Sequence, residues 1–342
     1  MAKLDQIAAL AYKGVIKSPD LFGCDSVFMD DRLLSRFSGK IETQDGGEFI
    51  SQTVTYGKNK NFRWISGSET IQSGISDKTT GLNLSWREVA GHIVIDGMTA
   101  VVKVSGKAKI INYVESEILN GKMSGAEAIH EAIVLGDGAV PPAGAYCAGG
   151  STKEWFDGFP SIILNSTSAY AGISASELGT KKDGSTNIWA PILDTTTTTF
   201  TAKAFRAQIL KQKCRGSKST VCITTDDVES KMWSLLNASE RYVKTTDDTL
   251  TKPFDISFLG IPIITSDFMV DLTGYTSTTQ HCLLIDDKYF KVIMSPHRNP
   301  EIGKPLIGEN ADIRKIRIIY AGNIVCGVRF STGGFTAINP AS

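Results

Sequence analysis

The chain lacks the residue patterns that most chemistries need. Its six cysteines, Cys24, Cys147, Cys214, Cys222, Cys282 and Cys326, are scattered and form no Cys-x-x-Cys pair. A zinc cage or redox motif would bring such residues together, so buried or inert thiols are expected. The four histidines, His92, His130, His281 and His297, are equally dispersed. His130-Glu131 opens like a metalloprotease helix, but Val134 stands where the second histidine ligand belongs. Gly216-Ser217-Lys218-Ser219-Thr220 lacks the adjacent Gly-Lys of a phosphate loop and precedes a strand pattern instead of following one. No nucleophile elbow is present. The acid pairs Asp30-Asp31, Asp226-Asp227, Asp247-Asp248 and Asp286-Asp287 place adjacent side chains in different directions, which favours solvated or helix-capping roles. No catalytic, metal or cofactor-binding residue is assigned, and no enzyme activity is expected.

An excess of one charge is also missing, because 36 lysines and arginines balance 36 aspartates and glutamates. A protein that condenses nucleic acid displaces counterions from phosphates with a basic surface. Neutrality excludes that class but is compatible with enclosing nucleic acid without sequence-specific binding. No apolar run reaches the length of a membrane-spanning helix. The segment Ile7-Ala8-Ala9-Leu10-Ala11 is too short for a secretory signal and is followed by Lys13 and Gly14, so an amphipathic helix over residues 3–17 is expected instead. Without such a signal, the glycosylation-type triplets at Asn83, Asn165 and Asn237 read as chance.

What is present is a chain of 342 residues, 42% hydrophobic and 21% charged. It can bury a sizeable core without disulfides or metals. Ser18-Pro19-Asp20 stops the first helix, and the chain to Gly47 reads as an arm with one short helix near Asp30 to Phe37. Val54-Thr55-Tyr56 and Phe62-Arg63-Trp64-Ile65 are rich in strand formers, and Leu82, Leu84 and Trp86 alternate at period two. Between them Ser66-Gly67 and Ser73-Gly74 break the pattern. The segment therefore reads as a long two-stranded hairpin with a glycine-rich tip. Such a hairpin is marginal alone and needs a supporting surface.

Ile93-Val94-Ile95 reads as a short strand before a long helix from about Met98 to Leu135. Ile110, Ile111, Val114, Ile118, Leu119, Ile129, Ile133 and Val134 form its apolar stripe. Gly121 and the box Ser124-Gly125-Ala126-Glu127 predict a kink or break, and Gly136-Asp137-Gly138 ends the helix. Ser161-Ile162-Ile163-Leu164 reads as strand, Ala202 to Cys214 as helix, and Thr220 to Thr224 as a buried strand. Thr225 then caps a helix bearing Val228, Met232, Leu235 and Leu236. Phe254, Ile256 and Phe258 alternate ahead of a Leu259-Gly260 turn, and His281–Ile285 and Tyr289–Met294 are further strands. Ile316, Ile318 and Tyr320 alternate toward Ala321-Gly322-Asn323, read as the turn of a closing hairpin that returns through Ile324, Val328 and Phe330.

The order of these elements resembles the major capsid proteins of tailed bacteriophages, whose fold is named after phage Hong Kong 97. Trp86-Arg87-Glu88-Val89 running into Ile93 to Gly97 is similar to that family's extended loop meeting its spine helix. Phe156-Asp157-Gly158-Phe159-Pro160, Tyr170-Ala171-Gly172-Ile173 with Trp189, and Phe258-Leu259-Gly260-Ile261-Pro262 are similar to its axial domain. Ile313 to Phe330 is similar to its returning strand pair. The resemblance covers nearly the whole chain and implies an α+β fold. Its parts are an N-terminal arm (1–48), an extended β-hairpin loop (49–88), a peripheral domain (89–160 and 286–322) with a spine helix at about 98–135, and an α/β axial domain (161–285 and 323–342).

The resemblance further implies a structural protein that self-assembles into pentamers and hexamers of an icosahedral head enclosing double-stranded DNA. It would be made in the host cytoplasm and reside in the virion. The implied partners are other copies, a separate scaffold protein, a portal and, as an option, a cement protein, with no membrane. Some members crosslink a lysine to a neighbour's asparagine, but Lys58, Lys60 and Lys78 match no such role, and no crosslink is expected. Tyr56, Phe62, Arg63, Trp64, Ile71, Leu82 and Trp86 are the expected subunit-interface residues. Alternative readings are an encapsulin-type nanocompartment shell, an acid-dependent hydrolase, and a decoration or adhesion protein, the last disfavoured by the long helix.

Overall fold

The computed structural model describes Leu33, Arg36, Phe37 and residues 40–57, 61, 62, 64–67, 69, 74, 79–98, 107–142, 153–167, 169–180, 187–213, 218–235, 257–272, 276, 279–307 and 313–340. The expected helix at 3–17 and the residues Phe254 and Ile256 lie outside them.

In chain order the strands are β1 (Ile41–Thr43), β2 (Phe49–Thr55), β3 (Thr79–Ser85), β4 (Arg87–Asp96), β5 (Ile192–Asp194), β6 (Val221–Thr224), β7 (Ser257–Phe258), β8 (Ile261–Thr265), β9 (Gln280–Ile285), β10 (Phe290–Met294), β11 (Glu301–Ile302), β12 (Leu306–Ile307), β13 (Ile313–Cys326) and β14 (Gly333–Ile338). The α-helices are α1 (Lys107–Leu135), α2 (Ala202–Gln212) and α3 (Asp226–Leu235).

Among the described residues the strands form three sheets. In the first, β13 is central and pairs β4 on one side and β10, β11 and β12 on the other, with β1 added parallel to β10. The second has the order β5-β14-β9-β6-β8-β7 and mixes parallel and antiparallel pairs. The third is the hairpin β2–β3. One large apolar cluster joins α1 and parts of all three sheets. A smaller cluster around Phe200, Phe205, Val228, Met232 and Phe335 lies beneath α2 and α3.

The sequence pattern explains α1. Val114, Ile118, Ile129, Ile133 and Val134 are buried along one stripe, whereas Leu119 falls at its edge and is exposed. At about 1.5 Å per residue its 29 residues span roughly 43 Å. The expected break is absent, and the glycines have a different purpose. A β-carbon at Gly121 would lie 2.6 Å from Ile93 Cδ1, and one at Gly125 would collide with the Tyr320 ring. These positions let α1 pack closely on β4 and β13, in a place where sequence alone suggests a kink.

Two further expectations are corrected. Ile313–Cys326 is one continuous strand with no turn at Ala321-Gly322-Asn323. Gly322 has no side chain because β10 packs closely there, so an added β-carbon would strike the Ile293 carbonyl oxygen and Met294 Sδ. Asn323, fully buried, donates to Ser85 O (3.0 Å) and Asp157 Oδ2 (2.7 Å), and accepts from the Asp157 N–H (2.9 Å). It ties the hairpin exit to the segment after α1. The boundary expected between 322 and 323 thus falls inside a single strand. Likewise Ser161–Leu164 belongs to a π-helical turn, Pro160–Leu164. The buried Arg329 guanidinium donates to the carbonyls of Ser161 (3.2 Å), Ile162 (2.7 Å) and Asn165, satisfying groups a strand would have paired. A short apolar run does not distinguish these two structures.

Phe62, Trp64 and Ile65, read as strand formers of the hairpin, lie outside any strand, while the other elements below hold with shifted ends. The strand expected at 93–95 runs from Arg87 to Asp96. Leu259 and Gly260 both take left-handed backbone angles, φ 54° and 77°, in the turn between β7 and β8. Thr201 caps α2 by accepting from the Ala204 N–H at 3.2 Å. The threonine run is organised by Asp194, whose carboxylate accepts from the backbone and hydroxyls of Thr196 and Thr197 at 2.7–3.0 Å. Partial burial raises the Asp194 pKa, but these hydrogen bonds outweigh it and hold the value at about 2, below the ordinary 3.8.

Two outcomes follow from this packing. Gly125→Ala should destabilise the fold by about 1–3 kcal/mol in denaturant unfolding, because Tyr320 is buried and has little room to yield. A depressed folded pKa contributes stability that is complete above the unfolded value and is lost as pH falls through the folded one. The stability difference between wild type and Asp194→Ala should therefore be constant near neutral pH and shrink from about pH 4 downward, its pH-dependent part being lost only below about pH 2.

Candidate subunit interface

The hairpin has two parts with opposite characters. At its base, seven register pairs run from Phe49↔Ser85 to Thr55↔Thr79. Ile50, Leu82 and Leu84 point to one face and are buried in the chain's own large cluster, beside Leu33 and Phe37. Polar contacts fix this base. The Trp86 indole N–H donates to Gly47 O (2.9 Å), and the Asn83 N–H donates to Ala171 O (3.3 Å).

Among the described residues no register pair lies beyond Thr55↔Thr79. Asn61 and Gly74 clasp the tip reciprocally, the Asn61 amide donating to Gly74 O (2.7 Å) and the Gly74 N–H to Asn61 Oδ1 (3.2 Å). Around this clasp Phe62 is 86% exposed, Trp64 is fully exposed, and Ile65 is 47% exposed. Burying one such side chain contributes about 1.5–3 kcal/mol, so the three together represent several kcal/mol that the isolated chain leaves unused.

No protein-family model matches the sequence, and no curated protein matches it. Solved structures do match it in fold. The chain is similar to the capsid asymmetric unit of cyanophage A-1(L), with a TM-score of 0.61 at 13% identity, covering 93% of this chain and 96% of that one. It is similar to the capsid of a native GTA particle, with a TM-score of 0.58 at 8% identity, covering 92% and 94%. It also resembles the SrpI encapsulin complex of Synechococcus elongatus, with a TM-score of 0.50 at 8% identity, covering 89% and 86%. The chain has the Hong Kong 97-like capsid fold.

β2–β3 occupies the stretch read from the sequence as an extended loop, and α1 the stretch read as a spine helix. Of the seven expected interface residues, the structure brings Phe62 and Trp64 together at the exposed tip. Arg63 and Ile71 lie outside the described residues. Tyr56 is half-buried against the core and lines a 340 Å³ cavity with Trp189, Tyr289 and Phe330. Leu82 is a correction: it is fully buried in its own subunit and is not available to a neighbour. Trp86 is also held by its own chain, through Gly47. Period-two alternation reveals that one face is covered but not which copy covers it. Ile65 joins the tip patch and was legible only as part of the strand-forming run around it.

The expected arm is corrected in the same way at its inner end. Leu33 and Phe37 are buried, Arg36 pairs with Asp287 (2.5 Å), and Ile41–Thr43 is a strand of the first sheet. This stretch is part of the subunit's own fold.

The groups that might have carried chemistry have structural partners. His130 Nε2 lies 3.1 Å from Ser266 Oγ, and its ring meets Phe268 edge-on. Asp227 accepts from Gln280 (2.9 Å) at the start of α3, and Asp286 accepts from the Lys288 N–H (3.2 Å). Cys222 and Cys282 are in contact at 3.3 Å between Sγ atoms. That contact, followed by burial, raises the Cys222 pKa, while burial pushes Cys326 to about 12. Among the described residues no group of three or more candidate ligands could hold a metal ion.

Base and tip should respond oppositely to mutation. Leu82→Ala should cost about 2–5 kcal/mol in unfolding experiments on the subunit. Trp64→Ser should leave subunit stability within about 0.5 kcal/mol. A large loss from Trp64→Ser would mean that the tip packs on its own chain.

Proposed function

We propose that this chain is a major capsid protein, the shell subunit of a tailed-phage head. Copies assemble into pentamers and hexamers of an icosahedral shell that encloses double-stranded DNA without reading its sequence. The observation that carries this reading is the apolar tip, displayed on a hairpin whose base is locked to its own subunit, within a capsid fold. The first sheet and α1 act as the peripheral domain, and the second sheet acts as the axial domain packed around the symmetry axes. The extended loop lies across a neighbour. Head-to-tail contacts of this kind close into rings when the rotation between copies permits.

Zero formal charge fits a wall that surrounds nucleic acid without gripping it. A scaffold protein, a portal and, as an option, a cement protein complete the assembly, which forms in the host cytoplasm and ends in the virion. The role is structural and involves no catalysis. A second reading, supported by the similarity to the SrpI encapsulin complex, is a protein nanocompartment shell holding enzyme cargo.

Electron microscopy of the purified protein, with scaffold supplied if needed, should reveal closed shells of uniform diameter. A monodisperse monomer at every concentration tested would overturn both shell readings. Particles recovered from the native source with packaged DNA support the phage reading, and particles with protein cargo support the compartment.

A further inference from the structure

The inward face of β2 carries Ile50, Gln52 and Val54 at period two, and Tyr56 continues the row just past the strand. Ile50 is buried in the large cluster, and Val54 and Tyr56 pack against it. Gln52 is the one amide in this apolar row. Its Oε1 is buried and accepts no hydrogen bond. Buried amide oxygens in folded proteins nearly always have a donor, so this one calls for a partner that the chain does not supply.

Gln52 lines the 340 Å³ cavity already described beside Tyr56. That volume falls within the range of roughly 300–1,000 Å³ typical of small-molecule sites. Tyr56, Trp189, Tyr289 and Phe330 give the cavity aromatic surface. Gly327, also in its lining, gives it room. This glycine does not take a left-handed backbone angle, and a β-carbon there would lie 3.8 Å from both terminal atoms of the Gln52 amide, an ordinary contact. Neither backbone strain nor crowding accounts for glycine at this position. Its missing side chain leaves space beside the carboxamide.

The lining also limits the charge of an occupant. Among the described residues no charged side chain faces the cavity. A charged ligand would lose its hydration there without gaining a counter-ion. Aromatic rings attract cations, but the Lys288 ammonium already stands 5.4 Å from the Tyr289 ring centroid and would repel a second one. The chemistry that remains is neutral, flat and largely apolar, with a hydrogen-bond donor.

We propose that this cavity binds a small neutral aromatic molecule carrying one N–H or O–H, which packs among the aromatic side chains and donates to Gln52 Oε1. The terminal torsion of glutamine is soft, so the carboxamide turns to present its oxygen to the ligand. Gln52, Val54 and Tyr56 belong to the hairpin segment, whereas Trp189 and Phe330 belong to the body of the subunit. The bound molecule therefore bridges the two and braces the hairpin base. The site goes beyond the shell reading and does not depend on it.

Indole and indene test the site, because they share a shape and differ in the N–H. In calorimetric titrations of the full chain, indole should bind saturably and at least roughly tenfold tighter than indene. Benzoate and benzyltrimethylammonium should bind more weakly than indole. Gln52→Leu keeps the volume and removes the acceptor, so it should bind indole and indene alike. Gly327→Ala, whose methyl group fits without a clash, should fold as wild type by circular dichroism and weaken indole binding by crowding the carboxamide. No saturable indole binding by the wild type, equal affinity for indole and indene, or an unchanged preference for indole in both variants would overturn the site. Each of these results leaves the shell reading intact, since electron microscopy decides that separately.

Discussion

The structure depends on pairing both edges of one strand. β13 runs 14 residues, roughly 46 Å at about 3.3 Å per residue, and is buried along most of its length. One edge holds β4, which leads into the spine helix, and the other holds β10, β11 and β12. Ile316, Ile318 and Tyr320 support α1, and the Tyr320 hydroxyl donates to Lys122 O (3.2 Å). Near its end, Asn323 binds the exit of the hairpin and Asp157. Just beyond it, Arg329 gathers the carbonyls of the π-helical turn. Removing any one partner would leave buried polar groups unpaired, which costs more than the bond contributes. The hairpin base, spine helix and second sheet are therefore oriented by a single element.

That rigidity explains how a subunit can present an apolar tip without collapsing onto it. The base residues Ile50, Leu82 and Leu84 fix the direction of the hairpin, and the Asn61–Gly74 clasp limits the freedom of its end. A neighbour that buries the tip loses less conformational entropy than it would by ordering a free loop. Preorganisation of this sort makes modest contacts effective, and under the shell reading proposed above avidity from several neighbours would multiply them.

Much of this was legible in the sequence. The apolar stripe of α1 and the alternation of Leu82 and Leu84 each follow from a local rule that the tertiary structure respects, whereas Thr225, read as the cap of α3, donates its hydroxyl to Gln280 Oε1 instead (2.6 Å). The order of elements carried the resemblance to capsid proteins, although identity to the solved structures is only 8–13%. The failures share one cause. Gly322, Asn323, Gly121 and Gly125 have the chemistry of turns and breaks, yet in the fold they serve close approach and buried hydrogen bonding. Those demands arise from β10, β4 and Asp157, which are distant in sequence, so no local window contains them. Leu82 was misassigned for a related reason: periodicity specifies a covered face but cannot name the molecule that covers it.

The two features that look like liabilities in a free subunit make sense together. A monomer selected only for solubility would carry lysine at position 94 and a polar residue at position 64, and either change would suppress edge-to-edge association. Val94 is instead half exposed on an edge strand, and Trp64 is fully exposed at the hairpin tip. Trp64 lies beyond the β2–β3 ladder, whose last register pair is Thr55↔Thr79. Complementary surfaces on opposite parts of one subunit produce a heterologous contact, which propagates until geometry closes it. Under the shell reading proposed above, the β13 framework would set the rotation between copies and so decide whether their contacts close.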